Sequence, residues 1–206
     1  TKAGAMISSD SSVSLKKADM PYVSRGGLKL KAAIDFFNIV LKDRTAMDVG
    51  SSTGGFTDCM LQTGAKKVYC IDVGYGQIAW SLRNDPRVVL FERTNIRYLE
   101  KEKIPETIDI ATIDVSFISL TKVIPKVMEF LKDGGEIIAL VKPQFEVGRE
   151  DVGKGGIVRE EDKRLSALES VKGSLEDIGL NTIGTFQSPV PGQKGNIEYF
   201  LYMRKG

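Results

Sequence analysis

No histidine occurs among the 206 residues, so proton transfer falls to Lys, Asp, Glu or Tyr. Ser-His-Asp and Cys-His catalysis and histidine-bound zinc are excluded on the same ground. Two groups of residues could do chemistry. One is the run Asp48-Val49-Gly50-Ser51-Ser52-Thr53-Gly54-Gly55-Phe56, where an apolar stretch gives way to small residues before apolar residues return at helical spacing. Small side chains let a ligand approach the backbone, and a helix start offers it unpaired N–H groups. Asp72, with Val73 beside it, follows about twenty residues later, where a carboxylate suits ribose hydroxyls. Asn95 could hydrogen-bond an adenine edge. The other group is Lys29, Asp114, Lys142 and Glu198, far apart in sequence but each at the end of a predicted element. The first group alone announces a nucleotide-like ligand, and a dinucleotide would serve as well.

These residues need elements to hold them. Gly26–Phe37 has helical spacing, with Ser24 as its cap. Strands are predicted at Thr45–Val49, Lys67–Asp72, Val88–Glu92, Ile108–Asp114, Gly135–Val141, Asn181–Gln187 and Ile197–Met203. Between them fall a helix from the glycine turn to about Thr63, closed by Gly64, and a short helix through Trp80. Further on come a helical turn at Thr94–Leu99, a helix over Leu120–Leu131 kinked at Pro125, and the longest helix, Glu160–Ile178. Lys142–Gly156 is glycine-rich and charged and reads as a mobile loop. Strands alternating with helices predict an α/β fold with a mostly parallel sheet and helices on both faces. The last strand follows its predecessor without a helix and is expected to be antiparallel.

In such a sheet ligands sit outside the carboxyl ends of the parallel strands. Asp48, Gly50, Asp72, Asn95, Asp114 and Lys142 all fall at that edge. A helix leading into the first strand runs antiparallel to it, which brings Lys29 there, and an antiparallel last strand begins there with Glu198. Lys29, Asp114, Lys142 and Glu198 are therefore expected to converge.

The totals set the class. The composition is 42% hydrophobic and 27% charged, ordinary for a globular chain of one domain. A net charge of +2 leaves a nucleic-acid partner open. Cys59 and Cys70 lie in apolar runs and read as buried thiols without metal-site spacing. No apolar run reaches the ~20 residues of a membrane span, and no signal peptide opens the chain. A cytoplasmic protein is expected.

With YVSRGGLKL, MDVGSSTGGFTD, IDVGYGQ, DVSFISL, VKPQFE and NIEYF, the sequence resembles the TlyA family over about residues 20–205. This is the so-called hemolysin A group within the FtsJ-like ribose 2′-O-methyltransferases. The resemblance implies a Rossmann-like S-adenosylmethionine-dependent methyltransferase fold of seven strands, the last antiparallel and inserted beside the fifth. It implies S-adenosylmethionine bound by Asp48–Gly55, Asp72 and Asn95 with Thr94, and Ser52 stands where many methyltransferases carry glycine. It also implies a Lys-Asp-Lys-Glu tetrad matching Lys29, Asp114, Lys142 and Glu198, with Lys142 central. The partner would be rRNA or a ribosomal subunit, touched by Arg25, Arg149, Lys154 and Lys194, without metal or membrane. Tyr22, Tyr75 and Phe145 could stack on a base but read more simply as packing. Family members usually begin with a small RNA-binding domain. Residues 1–20 therefore read as a linker or the tail of a missing one, and 21–206 as the methyltransferase domain. Rival readings are a membrane-active hemolysin, a ribosome-binding protein without catalysis, and a methyltransferase acting on a base or small molecule.

Overall fold

The computed structural model describes residues 20–206, so all but the last residue of the expected N-terminal tail lies outside the described residues. The elements run α1 (Arg25–Phe37), β1 (Thr45–Val49), α2 (Gly55–Gln62), β2 (Lys67–Ile71), α3 (Trp80–Arg83) and β3 (Val88–Phe91). They continue with β4 (Ile108–Ile113), α4 (Ile124–Met128), β5 (Leu131–Val141), α5 (Glu161–Glu176), β6 (Leu180–Gln187) and β7 (Tyr199–Lys205). The seven strands form one sheet in the order β3-β2-β1-β4-β5-β7-β6. All neighbours from β3 to β5 pair in parallel, and β7 runs antiparallel between β5 and β6. The inserted antiparallel strand is the one expected.

Strand side chains alternate between faces, and the core divides accordingly. Met47, Val49, Ile113, Leu201 and Met203 join Leu168, Val171 and Leu175 of α5 on one face. Ala46, Val68, Phe200 and Tyr202 join Leu30, Phe56 and Met60 of α1 and α2 on the other. α1 stops where Asn38 turns left-handed (φ 55°) and donates its N–H to Asp35 and Ile34 carbonyls, a conformation asparagine tolerates better than most residues.

Four local expectations change. Ser24 occupies the N-cap of α1 but makes no side-chain capping bond. The short helix begins at Trp80 rather than ending there. The predicted helix Leu120–Leu131 is a 3-10 turn (Leu120–Lys122) followed by five residues of α4. Pro125 sits at the start of α4, where its missing N–H costs nothing, and kinks nothing. Leu131 already pairs with Ile108, and the register slips before Glu136 pairs with Ile110, so Lys132–Gly135 bulge out of β5. Finally, Lys142–Gly156 carries 3-10 turns at Pro143–Phe145 and Arg149–Asp151 and a bridge between Gly153 and Ile157. The expected loop therefore carries short structured turns.

Candidate active site

The glycine turn is shaped by what it must pass. Gly50 has φ +84°, and a Cβ there would stand 2.5 Å from the Asp114 carbonyl oxygen. Only glycine lets the ends of β1 and β4 approach so closely. Gly55 does the same for two helices, since its Cβ would meet Ser24 Oγ at 2.3 Å and the Gly27 nitrogen at 2.9 Å. The first turns of α1 and α2 thus abut, which brings Arg25 and Lys29 beside the glycine turn. Ser52 occupies the left-handed region (φ 46°) in place of a glycine. Its N–H donates to Asp72 Oδ2 at 2.7 Å, while Asp72 Oδ1 accepts the Gly74 N–H at 2.7 Å.

Three cavities meet at this edge. The largest, about 530 Å³, is lined by Gly50, Ser52, Asp72, Val73, Thr94 and Asn95, as the sequence predicts, and also by Gln77, Arg97 and Val115–Ile118. Asn95 caps a 3-10 turn by accepting the Arg97 N–H at 3.1 Å, a bond that uses its carbonyl and leaves its amide N–H groups for a ligand. A smaller cavity of about 220 Å³ takes Ser51, Thr53, Gly55 and Phe56 together with Arg25 and Lys29.

Asp48 and Gly54 line none of these three cavities. Asp48 shares its strand face with Ala46, toward α2, and is wholly buried. Thr57 donates to its Oδ2 at 2.6 Å and Thr112 to its Oδ1 at 3.1 Å. The Thr57 hydroxyl also shares a hydrogen bond with the Cys70 thiol, 3.0 Å away. Burial pushes the Asp48 carboxyl up to about 7, further raised by the nearby Asp114 charge and opposed by the two hydroxyl bonds. Asp48 ties the end of β1 to α2 and β4 beneath the turn. Gly54 packs on α3, where a Cβ would meet Leu82 at 2.3 Å.

The third cavity, about 250 Å³, contains all four of the residues that topology predicts to converge. Lys29 Nζ donates to Glu198 Oε2 at 2.6 Å, and this pair is nearly shut from solvent (side chains 12% and 3% exposed). Lys142 Nζ lies 2.7 Å from Asp114 Oδ1 and donates to Ser116 Oγ at 2.9 Å. The Asp114 contact is ionic without hydrogen-bond alignment, since Oδ1 accepts no hydrogen bond in the structure. Gly50, Ser52 and Asp114 border both this cavity and the 530 Å³ one, so the two chambers share a wall.

Ser116, Phe117 and Gln144 line the tetrad cavity without having been predicted. Phe117 is 89% exposed, holds φ +64°, and lines both chambers. Its ring lies 4.9 Å from that of Phe145. An exposed aromatic in a left-handed conformation is costly and rare, and no spacing in the sequence announces it. Gln144 keeps its Oε1 buried and unbonded.

Of the predicted cationic contacts, Arg25 reaches the rim of the smaller cavity, whereas Arg149 and Lys154 are exposed and line none of the three. The neighbouring acid Asp151 is held by Lys163 at 3.0 Å. The basic loop is fastened at its far end. Arg164 donates to the carbonyls of Val158 and Arg159, while Asn196 accepts the Val158 N–H and donates to Gly156. Lys194 is exposed between β6 and β7. Tyr22 packs on Gly27, where a Cβ would fall 2.3 Å from its ring, as packing predicts. Tyr75 is exposed with the Arg93 guanidinium 4.2 Å from its ring centre. Among the described residues no cluster of His, Cys, Asp and Glu could hold a metal. None of the described helices is long and apolar enough to cross a membrane.

Comparison with known proteins agrees with this geometry. Residues 22–205 match the FtsJ-like methyltransferase family model. A candidate rRNA methyltransferase of Bacillus subtilis, YqxC, is 47% identical over 98% of the chain and 72% of its own length. The 16S/23S rRNA (cytidine-2′-O)-methyltransferase TlyA of Mycobacterium tuberculosis is 46% identical over 91% of the chain and 70% of its own. A solved structure from Streptococcus thermophilus, described as a candidate hemolysin, superposes with a TM-score of 0.88 at 48% identity, covering 92% of this chain and 69% of that one. The chain belongs to the FtsJ-like methyltransferase family, in the group of the TlyA proteins.

Proposed function

We propose that this protein transfers a methyl group from S-adenosylmethionine to a ribose 2′-hydroxyl of ribosomal RNA, free or within a subunit. The observation that carries this reading is the meeting of two lysine–carboxylate pairs in a chamber that shares Gly50, Ser52 and Asp114 with a nucleotide-sized one. The names of the TlyA and YqxC relatives support rRNA as the substrate class. The hemolysin naming in the same group is a name, and the described residues contain no spanning helix to favour it. A cytoplasmic location follows from the substrate.

The larger chamber would hold the methyl donor: the Asp72 carboxylate would meet ribose hydroxyls, Asn95 and Thr94 an adenine edge, and Gly50 and Ser52 would leave room for the rest. When bound, S-adenosylmethionine supplies an electrophilic methyl group on sulfonium. The chain's own task is to align a weak nucleophile, and positioning of this kind can contribute about 7–11 kcal/mol. Lys142 meets the 2′-oxygen. It would orient the hydroxyl and take its proton as the oxygen–carbon bond forms and the methyl–sulfur bond breaks, the neutral thioether leaving. The ammonium so generated lies against Asp114, 2.7 Å away. Ser116 fixes the approach of Lys142. Lys29 and Glu198 hold the ribose, and Phe117 offers a face for its base. Arg25, Arg149, Lys154 and Lys194 contact phosphates, a salt-dependent interaction that fixes register rather than sequence. Within this reading residues 21–206 form the catalytic unit.

The test is incubation with methyl-labelled S-adenosylmethionine and purified ribosomal subunits, followed by mapping of alkali-resistant ribose positions. Label at a defined ribose supports the reading. Label on a base, or none in rRNA while a small molecule accepts it, overturns the reading.

A further inference from the structure

We propose that Glu146 is a positioning residue that clamps the loop carrying Asp114, Ser116 and Phe117 onto the loop carrying Lys142. The proposal rests on the reading of these loops as the acceptor side of a methyl-transfer site. β4 and β5 are parallel neighbours, with Ile113 opposite Ala139, so the segments leaving their carboxyl ends emerge side by side. Parallel strands do not bond beyond their ends, and side chains must hold such segments together. Three contacts do so near the cavity: Lys142 to Asp114, Lys142 to Ser116, and the Phe117 ring against Phe145. All three face the chamber that substrate must enter. Each is therefore open to disturbance by the substrate itself.

The fourth contact lies behind them. Glu146 Oε1 accepts the Leu120 backbone N–H at 2.9 Å, and the Ser119 hydroxyl also bonds to its carboxyl. Leu120 is 1% exposed, so its N–H has no water to turn to if Glu146 is lost. Glu146 lines none of the three cavities. No lysine or arginine among the described residues compensates its charge, and burial raises its pKa. A desolvated carboxylate without a cation is a poor stabiliser. Its placement is explained by what it ties together: the 3-10 turn after Phe117 on one side and the 3-10 turn after Lys142 on the other. Phe117 sits in a left-handed conformation only three residues before Leu120, and such a conformation persists where its surroundings over-determine it. Glu146 anchors one end of that segment and Asp114 the other.

Two variants and two readouts test the clamp. Glu146→Gln keeps an acceptor for the Leu120 N–H, and Glu146→Ala does not. Glu146→Ala is expected to lower kcat for methyl transfer to ribosomal subunits by about tenfold or more. Its KM for subunits and its dissociation constant for S-adenosylmethionine should stay within about threefold of wild type. Glu146→Gln should restore kcat to within about threefold. Independently of activity, amide exchange at Leu120 should accelerate in Glu146→Ala and not in Glu146→Gln. That arm separates the two ideas: a wild-type protein with no rRNA methylation refutes the functional reading, while Leu120 exchange still decides the clamp. Unchanged exchange and kcat in Glu146→Ala overturn the proposal. So does a parallel collapse of cofactor affinity, thermal stability and kcat, which marks a merely structural residue.

Discussion

Replacing Asp48 by asparagine tests how the donor side of the site is built. The Asp48 carboxyl is wholly buried and its pKa stands at about 7 in the folded chain, against 3.8 for a free aspartate. That difference corresponds to about 4 kcal/mol. Below pH 3.8 the group is neutral in both states and costs nothing. Between 3.8 and about 7 the unfolded chain ionises while the folded one keeps its proton, so this group's contribution to stability falls as pH rises. Above about 7 the full penalty stands. Asparagine has no charge to desolvate, and with rotated hydroxyls it can still bond to both Thr57 and Thr112. Asp48→Asn should therefore be more stable than wild type at pH 8, by up to about 4 kcal/mol, with the advantage shrinking to near zero by pH 4. Urea unfolding followed by circular dichroism at pH 4, 6 and 8 measures it. Titrating groups that do not feel the Asp48 charge are common to both proteins and cancel in the difference, whereas Asp114 and Cys70 are coupled to it. The affinity for S-adenosylmethionine should change by less than about threefold, because Asp48 lines none of the three cavities at this edge. An advantage independent of pH, or a variant less stable at pH 8, refutes the desolvation argument. A tenfold loss of cofactor affinity would return Asp48 to the ligand.

Other outcomes follow from the same geometry. Lys29→Ala strands the buried Glu198 carboxylate and should cost about 3–5 kcal/mol in urea unfolding. Lys29→Met combined with Glu198→Gln should recover most of that, and simple additivity of the two changes would contradict the buried pair. Gly50→Ala forces a left-handed alanine whose Cβ meets the Asp114 carbonyl. It should cost about 2 kcal/mol or more and weaken S-adenosylmethionine binding in calorimetry, whereas wild-type values for both would show the approach of β1 and β4 to be soft.

Much of this arrangement was legible in the chain order. Lys29 and Glu198 are 169 residues apart. The rule that ligands lie at the carboxyl edge, plus the direction of one helix and one strand, is enough to bring them together. The antiparallel β7 followed from the absence of a helix before it, and its place beside β5 from the resemblance to the TlyA family. Strand alternation puts Asp48 with Ala46, facing α2, where Thr57 meets it, but its second partner Thr112 requires the β1–β4 register. Pro125 looked like an interruption because the apolar spacing of Leu120–Leu131 continues across it, whereas Phe130 and Leu131 serve the core from the turn before β5 and its first residue. The exposure and left-handed backbone of Phe117 have no signal in residue type. Glu146 was hidden for a similar reason, since its partner is a backbone N–H.

The central claim is that donor and acceptor are held by separate halves of one site, with Lys142 at the acceptor. It is tested most directly by measuring S-adenosylmethionine binding and rRNA methyl transfer side by side in Lys142→Ala. The account predicts binding within about threefold of wild type and transfer reduced by about 10²–10⁴-fold, the range of a positioned proton-transfer group. Near-normal transfer by Lys142→Ala would contradict it.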